Sequence, residues 1–270
     1  MIKLVKNYLN ITKHHKFIYA FILVVLWGAG YIAYFRYFGA LPQATIALFQ
    51  EIEAPKASDR IVVFSPHEDD ESLALGGYIA QAESNGAQVF IVFATDGNHR
   101  NKKETRLKES QSATEILGVP YENLQYYDYP DTELSAHKLE LTTSINNTLN
   151  NVKPNIVFVS DKMDIHSDHK ELGLAIADSV KTMPNINLYT YIIHYKAYPR
   201  PQAFRPNDFL LPPVKLLNPS TTWYKFSLNS HDFDKKNEAV LKYKSQLKTP
   251  FLHSLMVSFI RQNEIFAKGN

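Results

Sequence analysis

The chain contains no cysteine. A disulfide framework, a thiolate zinc site and a thiol nucleophile are therefore excluded, while every redox compartment remains open. Neither sign of charge is in excess: 29 Lys and Arg stand against 27 Asp and Glu, a net charge of +2. A dedicated nucleic-acid binder needs a basic stripe, so no nucleic-acid partner is expected. The chain is also not poor in apolar residues, at 45% hydrophobic against 21% charged, which excludes disorder as its main state.

Charge is missing altogether from Phe17 to Phe35. As a helix that run spans roughly 28 Å, close to the thickness of a bilayer core. Tyr19, Trp27, Tyr31 and Tyr34 add aromatics suited to membrane interfaces. Lys3, Lys6, Lys13 and Lys16 precede it, whereas Arg36 alone follows closely. This asymmetry predicts a single-pass anchor with a cytoplasmic N-terminus and an extracytoplasmic remainder, periplasmic or at the cell surface. A cleaved signal peptide is the competing reading, with Gly28-Ala29-Gly30 as a small-residue site. The expected organisation is a basic flank over 1–16, an anchor over 17–38, a stalk over 39–59 and a folded domain over 60–270.

From Arg60 onward, short apolar runs alternate with helical patterns. Ile61–Ser65, Ala87–Thr95, Leu124–Tyr127, Asn155–Ser160 and Leu188–Tyr195 read as strands, several buried on both faces. Ser72–Asn85, Glu104–Leu117, Lys138–Leu149 and His169–Met183 read as helices. The alternation predicts an α/β fold, a Rossmann-like three-layer sandwich with a mostly parallel sheet. Tyr198–Pro219 is proline-rich and reads as a loop, Thr221–Leu228 as a strand, and Asp232–Gln246 and Leu252–Phe266 as helices.

Two clusters carry chemistry. The first strand runs into His67-Glu68-Asp69-Asp70-Glu71, whose consecutive acids repel one another unless a cation or basic partner is present. A later strand leads to Asp161 and then Asp164-Ile165-His166-Ser167-Asp168-His169. If both strands are parallel, both clusters reach the edge where α/β sheets bind ligands. Two imidazole nitrogens and a carboxylate then converge with a position left for water, the donor set of many catalytic zinc sites. Asp69 is the candidate general base beside them.

These residues resemble the PIG-L/LmbE-like zinc N-deacetylase family. Its His-Pro-Asp-Asp-Glu motif stands here as His67 to Glu71, with Glu68 in place of proline, and its His-x-Asp-His motif as His166 to His169. Weaker matches are Arg106-Leu107-Lys108-Glu109, Leu117-Gly118 and Tyr243-Lys244-Ser245-Gln246, so the resemblance covers roughly residues 60–247. It implies that His67, Asp70 and His169 hold Zn2+, and that Asp69 shuttles the proton between water and leaving amine. It further implies that His166 stabilises the oxyanion and that Asp168 orients His166. Arg106 would reach sugar hydroxyls, and Asp96, Asp131 and His194 are further candidates for the substrate side. The implied substrate is an N-acetylglucosamine-type sugar or glycolipid, for which the aromatic segment Tyr198–Trp223 offers stacking faces. Glu68 has two open placements, outward or beside the metal. The rival readings are another metal-dependent hydrolase, such as a phosphoesterase, and a non-catalytic membrane-tethered glycan-binding module.

Overall fold

The apolar runs after Arg60 become the parallel part of one sheet. The computed structural model describes residues 2–38, 40–98 and 102–269, with side chains in the first helix only for His15–Tyr34. The side chains of Lys3, Lys6, Lys13 and Arg36 thus lie outside the described residues. The chain divides after Ala40.

The first unit is the helix α1, Ile2–Phe38. Within it His15–Tyr34 has mean hydropathy 1.9 and is long and apolar enough to cross a membrane. Its large side chains are exposed around the helix, Phe17 at 76% and Trp27 at 73%. An apolar exterior on every side lacks the polar face that a water-exposed helix needs.

The second unit is built on eight strands: β1 (Gln50–Glu51), β2 (Arg60–Ser65), β3 (Gln88–Thr95), β4 (Leu124–Tyr129), β5 (Ile156–Ser160), β6 (Asn187–Tyr191), β7 (Trp223–Ser227) and β8 (Asn263–Lys268). Their order is β1-β7-β8-β6-β5-β2-β3-β4. Neighbours from β6 to β4 are parallel, and only β8 runs antiparallel to its partners. The chain winds outward from β2 to β4, then returns to β5 and winds the other way. The β2–β5 junction is therefore the topological switch point, and it opens a crevice at the strands' carboxyl ends.

Strand periodicity divides the core in two. Ile61 and Val63 pack on one face with Leu75, Tyr78 and Ile79 of α2 (Asp70–Ser84). Val62 and Phe64 pack on the other with Leu141 and Ile145 of α4 (Lys138–Val152) and Leu172 and Ile176 of α5 (Ser167–Val180). Each such buried side chain contributes about 1.5–3 kcal/mol relative to exposure. Helices thus cover both faces, as the alternating pattern predicts.

Four expectations need correction. The segment expected as a stalk over 39–59 is part of the fold from its η turn at Gln43–Leu48 onward: β1 pairs with β7, and Ile52 is buried. The expected helix Asp232–Gln246 is two, α6 (Ser230–Val240) and α7 (Lys244–Leu247), because the chain turns to bury Tyr243. The expected helix Leu252–Phe266 ends at Val257 as α8 (Pro250–Val257), and its remainder enters β8. Pairing on both sides, with β6 and β7, overrides the local pattern there. β6 stops at Tyr191 rather than Tyr195, so His194 lies beyond the strand. The proline-rich stretch is a loop as expected, ordered by the Arg261 guanidinium, which donates to the Pro201 carbonyl at 2.8 Å and that of Arg205 at 3.2 Å.

Helix α5 approaches β5 so closely at Gly173 that a Cβ there would overlap the Ser160 carbonyl oxygen. Backbone cannot yield as a side chain can. Gly173→Ala is expected to cost about 1–3 kcal/mol, the usual range for overpacking, read as a lowered denaturant midpoint at unchanged slope.

Candidate metal centre

Five parallel strands deliver their following loops to one edge. Ser65 of β2 leads to His67, Thr95 of β3 to Asp96, Tyr129 of β4 to Asp131, Ser160 of β5 to Asp164 and Tyr191 of β6 to His194. Because β2 and β5 are adjacent and in register, Phe64 opposite Val159, the two motifs meet across the switch point.

Their meeting place is a triangle of donors. His67 Nδ1 lies 3.2 Å from His169 Nε2, His169 Nε2 lies 3.1 Å from Asp70 Oδ2, and Asp70 Oδ2 lies 3.4 Å from His67 Nδ1. Donors about 2.0–2.1 Å from a tetrahedral zinc stand roughly 3.3 Å apart, so this spacing fits that ion. Each imidazole also has its far nitrogen beside a carboxylate: His67 Nε2 is 3.2 Å from Asp168 and 3.3 Å from Asp131, and His169 Nδ1 is 3.2 Å from Asp164. Such partners fix the tautomer and the ring orientation of a metal ligand.

The electrostatics have the same sense. Burial opposes a charged imidazole at His169, but Asp70 and Asp164 outweigh it and raise its pKa to about 9. At Asp131 burial favours the neutral acid, yet the contact with His67 wins and lowers the pKa to about 2. Carboxylates that hold protons on two neighbouring imidazoles are surroundings built to stabilise a cation.

Asp69 sits just outside the triangle, in the turn that starts α2. Its φ of 137° is rare for a residue with a side chain, and its N–H donates to Glu71 Oε2 at 3.1 Å. Burial and the neighbouring Asp70 charge raise its pKa to about 8, against the opposing pull of Arg106. Glu71 is itself held by the hydroxyls of Ser72, at 2.7 Å, and Tyr243, at 2.5 Å.

The other expected residues surround this triangle. His166 lies against His67 with ring centroids 4.6 Å apart, and its Nδ1 accepts the Asp168 N–H at 3.3 Å. An accepting Nδ1 leaves the proton on Nε2, free to be donated. The Asp168 carboxylate, expected to orient His166, instead contacts His67 and accepts the N–H groups of Thr132 and Leu134, at 2.7 and 3.2 Å. Its hydrogen bond to His166 is made through the backbone, because His166 caps α5. His194 is edge-on to His169 with centroids 4.8 Å apart, and burial beside that ring lowers its pKa to about 4. Asp96 stands one shell away: its carboxylate accepts the N–H groups of Asn98 and Asp131, at 3.0 and 3.2 Å, and so holds the loop that presents Asp131. Arg106 is buried, with Nε 3.3 Å from Glu68 Oε2 and Nη2 3.4 Å from Asp69 Oδ1. Glu68 is not turned outward: it is buried, with its carboxylate against Arg106.

Sequence reasoning missed Asp164 as a working residue. Its buried carboxylate faces His169 and accepts the N–H groups of His166, Ile193 and His194, at 3.0, 3.0 and 2.9 Å. The available signal was an acidic residue just before the His-x-x-His pair, at a strand end. The weaker matches also gain a meaning, since Glu109 accepts both the N–H and the hydroxyl of Ser245, at 2.8 and 2.7 Å. That bond ties α3 (Lys103–Ile116), which carries Arg106, to the C-terminal segment.

Residues 62–180 match the family model described as PIG-L: GlcNAc-PI de-N-acetylase. The diacetylchitobiose deacetylase of Thermococcus kodakarensis is 28% identical over 142 residues, 47% of this chain and 52% of that protein. The N-acetylglucosaminyl-phosphatidylinositol de-N-acetylase of Bos taurus is 24% identical over 151 residues, 50% of this chain and 60% of that protein. The chain thus spans little more than half the length of the curated relatives it matches. Among solved structures, the A40926 pseudoaglycone deacetylase Dbv21 superposes with a TM-score of 0.60 at 18% identity, covering 78% of this chain and 96% of that one. That likeness shows a shared fold.

Asp164 touches no corner of the triangle except through His169. Asp164→Asn is expected to weaken zinc binding about 10–100-fold while leaving the circular dichroism spectrum unchanged, as measured by competition with a chromogenic chelator.

Proposed function

We propose, from the premise that this chain belongs to the PIG-L/LmbE-like family, that it is a zinc-dependent N-deacetylase of N-acetylglucosamine-type sugars. The observation that carries this reading is the donor triangle of His67, Asp70 and His169, with sides of 3.1–3.4 Å, beside the non-ligating acid Asp69. The relatives' substrates, a chitobiose and an inositol glycolipid, share the N-acetylglucosamine unit and differ in the group attached to it.

His67, Asp70 and His169 are the residues that would hold the ion. Zinc in such a site supplies a Lewis acid that polarises the amide carbonyl and makes water a nucleophile near neutral pH. The protein supplies the rest. Asp69, adjacent to ligand Asp70, takes the proton from the attacking water and returns it to the leaving amine. His166 donates from Nε2 to the oxygen on which negative charge develops, since its Nδ1 is engaged by the Asp168 N–H. Asp168 and Asp164 fix the rings of His67 and His169. Asp131, His194 and Arg106 line the substrate side, with Asp96 shaping the loop between them. Breaking the amide consumes one water and yields acetate and a free amino sugar.

The membrane reading rests on α1 alone, apolar all round between His15 and Tyr34 and with basic residues concentrated before it. It makes the chain a single-pass protein with a cytoplasmic N-terminus and the metal centre outside, facing a cell-surface or periplasmic glycan or glycolipid.

Two experiments test these readings. Incubated with N,N′-diacetylchitobiose, the zinc-loaded full chain should release acetate. Asp69→Asn should retain zinc and lose about 10²–10⁴-fold in kcat, whereas Asp70→Ala and His169→Ala should lose zinc and activity together. Zinc retained in both alanine variants would refute the ligand set. For topology, a reporter active only outside the cytoplasm, fused after Asn270, should give signal. Signal instead from a cytoplasm-dependent reporter at the same position would invert the assignment.

A further inference from the structure

Glu68 interrupts the first motif where the family has proline, and its carboxylate is buried against Arg106 and the Gly97 turn rather than facing solvent. Glu68 is 2% exposed and Arg106 6%. The guanidinium sits between acids: Nε is 3.3 Å from Glu68 Oε2, Nη2 is 3.4 Å from Asp69 Oδ1, and Nη2 also donates to the Glu68 carbonyl oxygen at 2.5 Å. Glu68 Oε2 and Arg106 Nε have no aligned hydrogen bond, so charge and packing hold the pair. The turn after β3 is fitted to this carboxylate. Gly97 has φ +54°, and a Cβ there would occupy the place of Glu68 Oε2.

A guanidinium beside a sugar site is a ready receptor for phosphate or carboxylate, which it grips with paired N–H donors. Here two acids of the protein already take that place. Two further carboxylates, Asp131 and Asp168, lie within 3.3 Å of His67 Nε2. Among the described residues Arg106 is the one arginine or lysine ion-paired with these carboxylates. Selectivity follows as much from such built-in repulsion as from attraction.

We propose that Glu68 is a specificity-determining residue which, by occupying Arg106, restricts the site to N-acetylated sugars bearing no phosphate or carboxylate next to the reacting unit. The substrate class is accordingly a neutral glycan, or one carrying free amines. This inference rests on the deacetylase reading given above.

The test compares kcat/KM for neutral N,N′-diacetylchitobiose and for N-acetylglucosamine 1-phosphate, using the zinc-loaded full chain in detergent. The unaltered protein is expected to favour the neutral sugar by at least about tenfold, the factor produced by about 1.4 kcal/mol. Glu68→Gln, nearly isosteric and still fitted over Gly97, should move the ratio about tenfold or more toward the phosphate. The double variant Glu68→Gln with Arg106→Gln should lose that gain. Acetate release with a preference for the phosphate, or with a ratio that Glu68→Gln does not move, overturns the inference and leaves the deacetylase reading standing. No acetate from either sugar removes the deacetylase reading and this inference with it.

Discussion

Buried negative charge at the β2–β5 switch point is the constraint on which the rest of the structure depends. Asp70, Asp164 and Asp168 are each at most 2% exposed, and each faces an imidazole within 3.2 Å. A carboxylate removed from water costs several kcal/mol unless paired and hydrogen-bonded. The fold meets that cost with two imidazoles and with backbone N–H groups. Asp168 takes those of Thr132 and Leu134, and Asp164 takes those of His166, Ile193 and His194. These bonds reach into the loops after β4 and β6. Neutralising these carboxylates therefore also shapes the walls around them, and the donor triangle and the loop structure have one cause.

Much of this was legible in the sequence, and the reason is geometric. Strands buried on both faces advertise themselves as continuous apolar runs, and a parallel sheet sends every strand's carboxyl end to one edge. Knowing only that Ile61–Ser65 and Asn155–Ser160 are such strands is enough to bring His67 and His169 into one neighbourhood. Pairing between carboxylate and ring was not legible. Asp168 lies beside His166 in sequence but turns its carboxylate to His67, because His166 caps α5 and spends its Nδ1 on the Asp168 N–H. Residues two apart at a helix start diverge in direction, so nearness along the chain misleads there. β8 was hidden for a different reason: its strand character comes from β6 and β7 on either side, not from its own pattern.

Glu68 shows how one residue within a motif can change the local electrostatics without disturbing the donor triangle beside it. Its neighbours His67 and Asp70 keep the triangle, while its own carboxylate goes the other way, to Arg106 and the Gly97 turn. The donor triangle and the Arg106 ion pairs are thus set by different residues of one short turn, and the two can vary separately.

The C-terminal residues, beyond the matched stretch of 62–180, hold this turn in place. Asp69 keeps a φ of 137°, a conformation costing on the order of 1–3 kcal/mol that persists only where its surroundings enforce it. The enforcing group is Glu71, which binds the Asp69 N–H and is in turn gripped by Tyr243. Farther along α2, the Glu264 carboxylate of β8 accepts the N–H groups of Gly77 and Tyr78, at 2.8 and 2.9 Å. Lys236 of α6, fully buried, neutralises it at 2.8 Å. Such a buried pair adds little net stability but penalises any other register, since a shift would strand a charge without its partner. Helix α2 is therefore fixed along its length by Glu264 and at its start by Tyr243. The position of Asp69 and Asp70 is set by residues more than 170 positions later in the chain, as the Tyr243–Glu71 separation of 172 records.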